Sequence, residues 1–248
     1  MKYLIVAIAA ALLWQERAPT WEPIFNGRNL DGWIPKITHH DLGDNFGDTF
    51  RVENGVLKVS YDRYAAFDGK FGHLFFQRNL SRYRVRIEYR FVGTQAPGGP
   101  VWARSNSGVM LHAQAPATML KDQDFPISIE AQFLGNGRPT ANVCTPGTEI
   151  FMKNVMVKPH CTDSMSTPVA DGEWILAEID VNGGDRIRHL VNGVAVLEYE
   201  RPAIGGGVVS GFDPAVKRDG TALREGYLAL QSESHPVEFR RVELLVIQ

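Results

Sequence analysis

Beyond residue 20 the chain shows no sustained 3.6-residue apolar repeat. Apolar and polar residues alternate instead, in short runs bounded by Gly, Asn, Asp and Pro, the pattern of strands with one buried face. Strands are predicted over 83–91, 107–112, 127–134, 174–181, 227–231 and 239–247. Two further pairs, 50–53 with 56–59 and 187–191 with 194–199, are joined by Asn54-Gly55 and Asn192-Gly193. Asn-Gly readily takes the positive φ angles of a two-residue hairpin. Many strands and little helix predict an all-β fold of two packed antiparallel sheets or a closed barrel. Of these, a concanavalin-type jelly-roll sandwich is expected, its curved sheet offering a concave face where alternate side chains converge.

The connections at 93–106, 136–171 and 205–225 are too long for a simple meander, and segments of this length tend to be functional or tied down. Gly205-Gly206-Gly207 is not a phosphate loop, because no strand-to-helix transition and no Lys-Ser/Thr follow it. No internal repeat or linker divides the chain, so residues 19–248 read as one domain.

Met1-Lys2 precedes a dozen apolar residues ending at Trp14, then Gln15-Glu16-Arg17. That layout fits a secretory signal over 1–18 and is too short to span a membrane, so a periplasmic or secreted protein without stable membrane insertion is expected. The two cysteines, Cys144 and Cys161, then form a disulfide across the long loop. With 26 basic and 28 acidic residues the formal charge is −2, which gives no basic field for nucleic acid and favours a neutral or small-molecule partner.

Candidate chemistry lies in three segments. In 127–133, Ile129, Ala131 and Phe133 face the core, so Ser128, Glu130 and Gln132 share the other face, either as acceptors and donors for sugar hydroxyls or as a solvated surface. In 106–112, Val109 and Leu111 face inward, leaving Gly108, Met110 and His112 opposite. Gly108 permits close approach of a ligand or a neighbouring chain, and His112 titrates near neutrality or serves as a satisfied structural histidine. In 230–239, His235 precedes Pro236 and is held extended; plain turn chemistry explains the adjacent serines equally well. No nucleophile elbow, HExxH, EF-hand or Walker sequence occurs.

Five segments, in order, resemble the 3-keto-disaccharide hydrolase domain family. They are Phe25-Asn26-Gly27-Arg28-Asn29-Leu30-Asp31-Gly32-Trp33, Asn106-Ser107-Gly108-Val109, Ile129-Glu130-Ala131-Gln132, Trp174 with Asn192-Gly193, and the stretch from Gln231 to Arg241. The resemblance covers residues 24–247 and implies a concanavalin-like domain acting on glycosides oxidised to a ketone at C3. It implies removal of the C2 proton and loss of the C1 substituent. On this reading Glu130 or His112 is the base and His235 the acid or an electrostatic stabiliser, while Asn106, Ser107, Gln132 and Gln231 bind substrate. A divalent metal held by Glu130 and His112 could polarise the ketone, but no ligand spacing demands one and no cofactor is required. A non-catalytic carbohydrate-binding module is the alternative.

Overall fold

The computed structural model describes residues 20–247, so the expected signal segment lies outside the described residues. The N-terminal strands are β1 (Glu22–Pro23), β2 (Trp33–Ile37), β3 (Phe50–Glu53), β4 (Val56–Val59), β5 (Gly72–Leu80) and β6 (Arg82–Phe91). The middle of the chain forms β7 (Asn106–Ala113), β8 (Ile129–Leu134), β9 (Asn142–Cys144), β10 (Thr148–Met152), β11 (Val155–Met156) and β12 (Cys161–Thr162). The remainder forms β13 (Ile175–Asn182), β14 (Arg186–Val191), β15 (Val194–Ile204), β16 (Gly226–Ser232) and β17 (Val237–Val246).

One sheet runs β11-β10-β15-β14-β13-β6-β17-β4-β3, with β1 added along β17; the other runs β12-β9-β8-β7-β16-β5-β2. The fold is the all-β jelly-roll sandwich expected from the alternation. Both Asn-Gly pairs close hairpins with positive φ at each turn residue, 53° and 79° at Asn54-Gly55 and 49° and 83° at Asn192-Gly193, as the primed turns demand.

The main core lies between the sheets. β6 contributes Tyr83, Val85, Ile87, Tyr89 and Phe91; Val109, Leu111, Ile129, Ala131 and Phe133 answer from β7 and β8. The outer face of the larger sheet is polar, with cross-strand pairs such as Arg90–Glu238 at 2.7 Å. The outer face of the smaller sheet is covered. Phe75, Met110, Ala113, Met119 and Ala229 form a second buried cluster there, with Phe125 packed against it. Strands buried on both faces lose their alternation, and for that reason β5, reading Gly72-His73-Leu74-Phe75-Phe76, carries no period-two signal.

Cys144 and Cys161 are disulfide-bonded and lie opposite each other where β9 meets β12. Between them the chain crosses to the other sheet, pairs β10 with β15 and returns. The bond therefore closes a 17-residue excursion, worth roughly 3 kcal/mol on the chain-entropy model. A Cys144→Ser/Cys161→Ser double variant is expected to lose that much stability in urea unfolding.

Candidate functional site

On the covered face of the smaller sheet, β8, β7, β16, β5 and β2 lay polar side chains side by side. Glu130 stands opposite Cys144 on β9, Gln231 opposite His73 on β5, and His73 opposite Lys36 on β2. All are buried. The Lys36 ammonium donates to the carbonyls of Ile37 and Lys121 at 3.0 and 2.9 Å. The others are not satisfied. Oε1 of Glu130, both amide atoms of Gln231, both ring nitrogens of His73, Oδ1 of Asn106 and Oε2 of Glu233 have no hydrogen-bond partner in the protein. Buried polar atoms are nearly always paired, so a contiguous group of orphans marks a place where a polar ligand or water is meant to sit.

Part of this row floors a cleft of about 200 Å³. Its polar lining is Asn106, Glu130, Gln132, His160 and Glu233. The disulfide forms one wall, and Trp102, Phe125, Pro146 and Val208 complete the opening.

Two local features position the carboxylates. Gly108 on β7 lies beneath Glu130, where an added Cβ would sit 2.6 Å from Oε1 and 2.9 Å from Cγ; the space that a glycine leaves in this strand is filled by the glutamate. Glu233 follows β16 and continues its alternation, Ala229, Gln231 and Glu233 sharing one face. The turn beyond it is clamped by Tyr61. That hydroxyl accepts from the Ser234 backbone N–H at 2.8 Å and pairs with the Ser232 hydroxyl at 2.8 Å. Ser234 has φ +89°, so the clamp holds the backbone in a region that non-glycine residues seldom enter.

Burial raises both carboxyls. Glu130 is pushed well above the usual carboxylate range by loss of solvent and then by Glu233, with the nearby Gln231 amide offsetting part of the rise. Glu233 is pushed up to about 8 by desolvation. Two such groups in one desolvated cleft cannot both ionise near neutral pH, and the pair releases its protons in two coupled steps. Burial and Lys36 hold His73 neutral, with a pKa of about 3.

Of the residues expected to make a site, Glu130, Asn106 and Gln132 come together in the cleft, and Gln231 lies in the adjoining row. The histidines do not join them. Between β7 and β16, Leu111 and His112 stand against Leu228 alone, a bulge that resets the alternation, and His112 takes φ +48°. Its Nε2 pairs with the Gly183 carbonyl at 2.9 Å, a residue in the turn after β13 of the opposite sheet, and it lines a different cavity. His235 turns toward the core and packs edge-on against Phe91 at 5.7 Å. Ser107 also points inward, donating to the Gln231 carbonyl at 2.9 Å. Glu130 and His112 therefore do not form a metal ligand set. Among the described residues, the His/Cys/Asp/Glu group close enough to hold an ion is Cys144, His160 and Cys161, whose sulfurs are already bonded to each other.

The 3-keto-α-glucoside-1,2-lyase-like domain model matches residues 20–245, nearly the whole described chain. The protein belongs to this family. Membership in the 3-keto-α-glucoside-1,2-lyase-like family makes it a carbohydrate-active domain. Two solved structures of candidate glycosyl hydrolases from Parabacteroides distasonis share the fold of this family member. One is 18% identical, with TM-score 0.54 over 92% of this chain and 94% of the other. The second is 16% identical, with TM-score 0.54 over 92% and 100%. No curated protein matches the sequence. Among the described residues no helix is long and apolar enough to cross a membrane.

Proposed function

We propose that the protein cleaves 3-keto-glycosides, with Glu130 and Glu233 exchanging protons with the substrate. The observation that carries this reading is the pair of buried carboxyls in one cleft, each with an unpartnered oxygen and each held above its usual pKa. A C3 ketone acidifies the C2–H bond. One carboxylate takes that proton, and the bonding electrons move into an enolate across C2, C3 and O3. When the enolate collapses, the C1–O bond breaks, and the departing oxygen takes the proton of the second carboxyl. Water added across the resulting C1–C2 double bond gives the free 3-keto sugar. The charge on Glu233 raises Glu130 further, so Glu233 gives up its proton first, which assigns Glu233 as base and Glu130 as acid. Asn106 and Gln132 offer partners for hydroxyls. The cysteine pair and the N-terminal apolar run support export to an oxidising compartment.

The test is incubation of purified protein with 3-keto-trehalose or a simple 3-keto-glucoside, with assay of the released glucose or aglycone. Unchanged substrate would exclude the reading. Tight binding of unoxidised glycan without turnover would favour a binding module instead.

A pH profile checks the carboxylate assignment. One proton must leave the pair before a base exists, and the other must stay for an acid to exist. The rate is therefore expected to rise with pH as the first proton is lost, with Glu233 near 8, and to fall when the second goes. An acidic limb near 4, where ordinary solvated carboxylates titrate, would contradict it.

A further inference from the structure

The lining of the cleft changes character between floor and mouth, and the change bears on what the sugar is attached to. The floor is polar. At the mouth, two of the long connections present apolar side chains. From the 93–105 connection comes Trp102, 54% exposed. Trp102 lies nearly parallel to Phe71, with 5.9 Å between centroids and 12° between planes, so its ring is braced from behind while over half its surface stays open. From the glycine-rich connection after β15 comes Val208, 56% exposed with φ +57°. A β-branched residue in the left-handed region is a genuine outlier, and strain of this kind persists where the surroundings hold it and tends to gather at ligand sites. Phe125 and Pro146 line the same opening. The exposed Trp102 and the strained Val208 at one opening, with Phe125 and Pro146, form an apolar rim, a feature that marks a binding surface when it borders polar residues.

We infer that this rim binds the group attached at C1, and that this group is flat and apolar, an aromatic aglycone rather than a second sugar. The inference rests on the 3-keto-glycoside reading for the floor of the cleft and adds the class of the departing half. A hexose seated between Trp102 and Val208 would leave much of its hydroxyl edge against groups that cannot hydrogen-bond, a cost that an aryl ring does not incur. An aromatic ring would gain a stacking partner in Trp102 and edge contacts from Val208.

The experiment compares three 3-keto-glucosides carrying methyl, 2-phenylethyl and glucosyl at C1, the first two being alcohols of similar leaving ability. Wild type is set beside Trp102→Ala and Val208→Gly, both at exposed positions, the second relieving a strained backbone. KM is expected to be lowest for the phenylethyl compound. The phenylethyl-to-methyl ratio of kcat/KM should fall about tenfold in Trp102→Ala, the loss of a stacked pair, and by a smaller factor in Val208→Gly. A glucosyl substrate preferred over phenylethyl, or a ratio unmoved in Trp102→Ala, would overturn the inference. Should none of the three be cleaved, the floor assignment fails by itself. Calorimetric binding of phenylethyl and methyl glucosides to the same proteins then decides the rim alone: tighter phenylethyl binding that is lost in Trp102→Ala supports it, and equal binding sinks it.

Discussion

Glu130→Gln and Glu233→Gln are each expected to lower kcat/KM by about 10²–10⁴-fold, the range for a lost general acid or base. The same substitutions are expected to make the protein more stable. A buried carboxyl held above its unfolded pKa binds its proton more tightly in the folded state, so stability is fully present below the unfolded value near 4.3 and declines as pH rises through the folded value. For Glu233 that window runs up to about 8, and each pH unit inside it costs about 1.4 kcal/mol per proton held. Glutamine has the same shape and no proton to lose. The melting temperature of Glu233→Gln should therefore exceed that of wild type by several degrees at pH 8, at about 2–4 °C per kcal/mol for a chain of this size, and the gain should shrink toward pH 5. Both halves are read from activity assays and thermal melts on one set of proteins. A carboxylate kept only for packing would show the same gain in stability, but its loss would leave turnover intact.

The second large effect is expected from a residue that touches no substrate. Gly108→Ala places a methyl 2.6 Å from the Glu130 carboxylate and 3.0 Å from the Ala131 carbonyl. The carbonyl belongs to a paired strand and cannot retreat, so Glu130 must swing away. A carboxylate displaced by about 1 Å commonly costs on the order of 10²-fold in rate, and overpacking costs about 1–3 kcal/mol in stability. The check is a comparison with Gly108→Ala/Glu130→Gln. If the glycine matters only through Glu130, the double variant is no slower than Glu130→Gln alone. If the two losses multiply, Gly108 acts by another route.

These two positions also show what the chain itself revealed. Alternation in 127–133 put Glu130 on the face away from the core, and the structure agrees, because β8 is regular and both its neighbours pair in simple register. The same rule applied to 107–112 put His112 beside it, and there the rule failed. A bulge at Leu111-His112 inserts one residue against β16, and one extra residue reverses every side chain beyond it. Nothing in Asn106-Ser107-Gly108-Val109-Met110-Leu111-His112 announces that bulge.

His235 was misplaced for a related reason. The strand ending at Ser232 extends its alternation one step to Glu233, which reaches the cleft, before the positive φ of Ser234 redirects the chain and sends His235 to the core side. The glutamate at 233 could have been found by carrying the 229, 231 alternation two residues further; its histidine neighbour was the more conspicuous group. His73 and Lys36 gave no signal at all. Their strands are covered on both faces, and a polar residue buried beneath a loop looks, in sequence, like a break in the strand.

The central claim is that a carboxylate in this cleft removes the C2 proton of a 3-keto-glycoside before the C1 bond breaks. Its most direct measurement is turnover of substrates deuterated at C2 or at C1, followed by release of the aglycone. Slower release from the C2-deuterated compound, with the C1-deuterated compound close to unlabelled substrate, is the predicted result. Equal rates for C2-deuterated and unlabelled substrate, with slowing confined to deuterium at C1, would instead indicate cleavage through a cationic C1 and contradict the account.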